Sequence, residues 1–232
     1  MASALLPRPA RRPQGPGFRQ TLLRFGLLCL VAPGLLAFGR CAERQKAHCA
    51  ETLNAGFVAV AEAQRTRIQH CARRHAQEGR AHEPFSRCLA RDGFDGVAWV
   101  RWVEGRRAEQ ACRAGAPPGI SYVSPDEAAA AAVEAGSALA RGLFGPEPDL
   151  AILSRSAGDA SICQQELLRR AGDCADAFLE GFQRCARERL RHADVTPADL
   201  VACKDAGAEG AIARACDQRI EAALTGSCAA QD

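Results

Sequence analysis

Cysteine can act as a nucleophile, as a soft metal ligand or as half of a disulfide, and this 232-residue chain carries twelve. They are Cys29, Cys41, Cys49, Cys71, Cys88, Cys112, Cys163, Cys174, Cys185, Cys203, Cys216 and Cys228. A thioredoxin-type dithiol needs two near-adjacent sulfurs, yet no Cys-x-x-Cys occurs and the closest pair is Cys41 and Cys49. Redox catalysis is therefore not expected. The same absence argues against zinc and covalent haem, and no His-Glu-x-x-His is present.

The spacing favours the third chemistry. Residues 49–57 read CAETLNAGF and residues 174–182 read CADAFLEGF. Gln69–Arg73 (QHCAR) matches Gln183–Arg187 (QRCAR), Cys88 and Cys203 each precede two glycines, and Ala111-Cys112 matches Ala215-Cys216. Four cysteines thus recur in order with similar neighbours, an internal repeat. In the first copy they are 22, 17 and 24 residues apart, and in the second 11, 18 and 13. The middle step is nearly constant, and both outer steps change by about 11 residues, about three helical turns. An antiparallel hairpin behaves this way, because lengthening one arm forces equal lengthening of the other. The spacing predicts Cys71–Cys88 inside Cys49–Cys112, and Cys185–Cys203 inside Cys174–Cys216. Cys163 and Cys228 flank the second pair and form a third rung. Cys41 is left as the unpaired or intermolecular cysteine, and a disulfide-linked homodimer through it is one expected outcome.

Helices must position these sulfurs. Eleven residues return a side chain to within about 20° of its starting direction, so Cys163, Cys174 and Cys185 share a helical face. Cys49, Leu53, Phe57, Val60, Ile68 and Cys71 form a similar stripe. Steps of 12 and 13 on the return arms do not repeat on one face, so breaks are expected at the glycines 93, 96, 207, 210 and 226. Turns are expected at Gly79–Pro84 and at His192–Pro197, where Thr196 is a cap and Pro197 the first helical residue. GAPPG at 115–119 ends the first hairpin, Ser124–Glu127 opens an Ala-rich helix to about Arg141, and Gly145–Pro148 breaks the chain again.

The fold expected is all-α: two disulfide-laced antiparallel hairpins, residues 40–116 and 159–232, joined by the Ala-rich segment 117–158 after an N-terminal segment 1–39. Nested pairs on antiparallel helices resemble the architecture of twin-cysteine coiled-coil–helix proteins, although the spacing within pairs differs and no motif outside the cysteines is shared. In cysteine count and helix content the chain also resembles copper-storing helical bundles. Those bundles place thiolates four apart on one helix, whereas sulfurs 11 residues apart lie about 16 Å apart.

Residues 1–39 hold five arginines, no acid, and the uncharged run FGLLCLVAPGLLAFG at 25–39. A basic leader followed by an apolar block reads as a secretory signal, with Ala37 and Gly39 at the small-residue positions before Arg40. Retention as an anchor is the alternative, and a membrane is expected only through it. The twin arginine Arg11-Arg12 is followed by Pro-Gln-Gly-Pro, and Cys41 follows an arginine, so neither a twin-arginine signal nor lipid attachment fits. Extracytoplasmic location is expected, whether secreted, periplasmic or envelope; the mitochondrial intermembrane space is the alternative. Without this segment the net charge of +3 becomes −2, which leaves no basic face for nucleic acid.

The remaining candidates have bland readings. His48, His70, His75, His82 and His192 are expected on the surface or in loops. Trp99 and Trp102 are expected to pack on the Ala-rich helix; a partner-binding anchor is the alternative. The Ala128–Ala132 run reads as a strong helix former only. With no nucleophile elbow, phosphate loop or acid pair at useful spacing, the chain is expected to be a non-enzymatic structural or protein-binding module. No catalytic residue, cofactor or metal is expected. A thiolate metal-binding protein is the alternative.

Overall fold

In the computed structural model residues 35–78, 83–91, 96–114, 123–192 and 195–229 are described, with side chains from Arg44 onward except at 114, 208 and 209. The leader at 1–34 with Cys29, the first turn at 79–82 with His82, Gly93 and the segment 115–122 lie outside the described residues. Two units divide the chain, Met1–Ala42 and Glu43–Asp232, and the packed helices with their disulfides belong to the second.

The described structure is all-helical, with no strand among the described residues. In order come α1 (Leu35–Glu78), α2 (Phe85–Ala90), α3 (Val97–Ala111), a 3-10 turn (Cys112–Ala114), α4 (Pro125–Phe144) and α5 (Pro148–Ala151). A second 3-10 turn (Arg155–Ala157) leads into α6 (Asp159–Arg189), α7 (Pro197–Glu209) and α8 (Ala211–Thr225).

The helix starts are written locally. Ser124 and Glu127 form a reciprocal capping box at α4, and Thr196 and Asp199 form one at α7, each followed by proline at the first helical position. The Thr196–Pro197 start agrees with the sequence expectation. Both long arms, α1 and α6, are continuous, and both return arms are broken. Gly96 caps α3, Gly210 separates α7 from α8, and Gly226 ends α8 just before Cys228. At Gly210 a Cβ would lie 2.5 Å from the carbonyl oxygen of Ala206, so the break needs a residue without one. These breaks re-aim the return segments and resolve the steps of 12 and 13.

α6 packs on both α7 and α8, and α3 packs on α4. One core cluster joins Ile68 and Cys71 of α1, Phe85 and Cys88 of α2, Phe144 of α4 and Leu168 of α6. A second joins Val60 and Ala61 of α1, Val97 of α3, and Ala129 and Ala132 of α4. The alanine run therefore does more than favour helix. Ala129, Ala132, Gly136 and Ala140 are buried at steps of three and four residues, a seam along which α4 lies close to its neighbours. A Cβ on Gly136 would sit 2.7 Å from Cγ of Gln64 on α1.

Candidate functional site

The ten cysteines assigned from spacing form five disulfides. Cys49 joins Cys112 and Cys71 joins Cys88, with Cα separations of 4.5 and 5.7 Å. Cys163 joins Cys228, Cys174 joins Cys216 and Cys185 joins Cys203, at 4.8, 5.5 and 5.6 Å. Partners descend in number as α6 ascends, so α7 and α8 run antiparallel to it. These are the pairs that the spacing names. Eight of the ten residues are buried; Cys185 and Cys228 are half-buried. Each bridge stabilises a fold typically by about 2–4 kcal/mol, chiefly by restricting the unfolded chain. Five such bridges indicate an oxidising, extracytoplasmic environment. Cys41 lies on α1, but its side chain is outside the described set.

The tryptophans are not in the core. Trp99 is 47% exposed and Trp102 59%, and their rings stack on one another with centroids 5.1 Å apart. The expected packing against the Ala-rich helix is made by Val97 and Val100 instead. Helical phase explains the difference. Val97, Val100 and Ala108 share one face of α3, and positions 99 and 102 fall on the opposite one. Two stacked, exposed indoles are an apolar patch that no described helix covers.

Between α1 and α6 lies a polar seam. Arg65 donates from Nε to Asp176 Oδ1 at 2.8 Å and makes a second contact from its terminal nitrogen at 2.5 Å, a bidentate pair. Burial nevertheless outweighs Arg65 and raises the Asp176 carboxyl above its ordinary value; burial, followed by the Asp176 charge, raises Glu62 as well. Farther along α6, Glu166 is held down to about 2, first by the Arg169 hydrogen bonds and also by those from Arg170. The Arg65–Asp176 pair braces α1 against α6, and the Glu166 pairs brace α6 within itself.

The histidine expectation needs one correction. His48, His70 and His192 are exposed, but His75 is only 5% exposed and neither ring nitrogen has a hydrogen-bond partner. The signal was present in the sequence. His75 follows Cys71 by four residues and Ile68 by seven, so it falls on the buried stripe of α1. Arg155, which no sequence signal marks, lies in a 3-10 turn and lines with His75 a cavity of about 460 Å³. Among the described residues no group of three or more His, Cys, Asp or Glu could hold a metal ion, and no described helix is long and apolar enough to cross a membrane.

Comparison with protein-family models, with curated proteins and with solved structures yields no match.

Proposed function

We propose that this chain is an exported, non-enzymatic helical module that binds a protein partner in the cell envelope or secreted space. The observation that carries the reading is the stacked Trp99–Trp102 pair, exposed on a helix whose other face is packed and whose end is tied to α1 by Cys49–Cys112. A rigid aromatic anchor loses little conformational freedom on binding, which suits a recognition surface. Residues 1–39 act as the secretory signal or as a retained anchor, and the disulfides suit the compartment to which such a segment leads. The matched residues around the cysteines support reading the two ladders as copies of one hairpin, the first longer by about three helical turns in each arm. Ten disulfide-bonded sulfurs offer no thiolate, so the copper-storing reading receives no support from their geometry.

The test uses the full chain and the W99A/W102A double variant, each immobilised and exposed to an envelope or secreted fraction of its own cells. A protein retained by the wild type and lost from the variant is the expected result. Equal retention by both, or no retention by either, overturns the reading. Thiol titration of the unfolded but unreduced protein should leave the ten paired cysteines silent, and ten reactive thiols would favour metal binding instead.

A further inference from the structure

His75 lies in the last turn of α1 with both ring nitrogens buried and unpaired. Buried polar groups in folded proteins almost always have partners, so this imidazole calls for one. It lines the 460 Å³ cavity with Leu150, Ile152, Ser154, Arg155 and Ser156. Three features make this more than an accidental hollow.

The stretch 151–156 that lines the cavity is held in place without any occupant. Gln164 of α6 accepts from the amide of Leu153 at 2.8 Å and donates to the carbonyl of Ala151 at 2.9 Å, and Ser161 donates to the carbonyl of Leu153. The stretch is also cationic. Arg155 makes no ion pair among the described residues, and its neighbours Ser154 and Ser156 bring their hydroxyls within 2.6 Å of each other. The nearby acids are already committed. Asp149 accepts from the amide and hydroxyl of Ser86, and Glu166, in the adjoining cavity that Arg155 also lines, is paired with Arg169 and Arg170. Leu150 and Ile152, both apolar, line the same cavity.

We propose that this cavity binds a small organic carboxylate with a short hydrocarbon tail. Arg155 takes the carboxylate through its planar fork, one of the two serine hydroxyls donates to its oxygens, the His75 ring turns toward the cavity to add one N–H, and the tail lies on Leu150 and Ile152. The apolar lining and a single guanidinium suit a monocarboxylate better than a bare, highly charged oxyanion.

The experiment follows the His75 ring proton by NMR in the intact protein while hexanoate, inorganic phosphate or hexanol is added in separate arms. Hexanoate should move the signal saturably, with phosphate and hexanol markedly weaker. R155Q changes an exposed side chain and should keep the helical signature, yet weaken hexanoate by about tenfold or more, the loss expected for a charge-assisted pair. H75L should remain folded and fail to bind, as followed by calorimetry. Phosphate equal to hexanoate would assign the site to oxyanions in general, and hexanol equal to hexanoate would assign it to apolar contact alone; either overturns the proposal. So do an unmoved His75 signal and an R155Q affinity equal to the wild type.

Discussion

Gly136 and Gly142 lie on the same helix, α4, in opposite surroundings. Alanine at either position removes the helix penalty of glycine, a gain of about 0.5–1 kcal/mol where nothing intervenes. At Gly142 no atom lies within 4 Å of an added Cβ, so G142A should raise stability by roughly that amount. At Gly136 the added methyl meets the buried side chain of Gln64 at 2.7 Å, and overpacking of this kind typically costs about 1–3 kcal/mol. G136A should therefore be net destabilising, and urea midpoints of the two variants should move in opposite directions. Residue by residue, the sequence is legible where spacing carries the information. The ten cysteines can be paired because the spacings within 49–112 and 174–216 change by a matched amount, and Cys163 and Cys228 flank the second stretch. The orientation of the tryptophans is not legible in this way, because their three-residue spacing fixes a common face without saying which face. His75 departs from the surface expectation because its place on the α1 stripe outweighs its polar type.

At the scale of the element, α6 is a continuous helix braced on both sides. Its cysteines line one face, and Glu166, Arg169, Arg170 and Asp173 form ion pairs at steps of three and four residues. Glu166 has a carboxyl held below its ordinary value, so it binds fewer protons folded than unfolded. Its stabilisation is present above the ordinary value of 4.5 and is lost as pH falls toward about 2. The stability gap between wild type and E166Q should close over that window, as read from urea unfolding at successive pH values, and salt should shrink it because the pairs are partly exposed. Glu62 and Asp176, raised by burial, have the opposite sign: their contribution weakens as pH rises through the acid range. The capping box at Thr196 and the break at Gly210 can be read from residue type, since each answers a local backbone need. The α1–α6 seam cannot. Arg65 and Asp176 are 111 residues apart, and no local pattern marks long-range partners.

For the whole molecule, the bond pattern divides the covalent network in two. Among the described residues no disulfide crosses from the stretch ending at Cys112 to the stretch beginning at Cys163. Trypsin cleavage at Arg113 should release two separate pieces on a denaturing, unreduced gel, whereas cleavage at Arg191 should leave the chain as one species until reductant is added. A fragment freed by an Arg191 cut without reductant would show the second ladder to be mispaired. The same pattern decides how the protein responds to tension. Force applied at residues 44 and 229 reaches Cys49, crosses to Cys112, follows the chain to Cys163 and crosses to Cys228, so the enclosed spans of 63 and 65 residues carry no load. Only the connector holding α4 and α5 can lengthen, to an extended length of about 170 Å. Under load the molecule is two inextensible links joined by one yielding connector, with the Ala-rich helix as its longest extensible element.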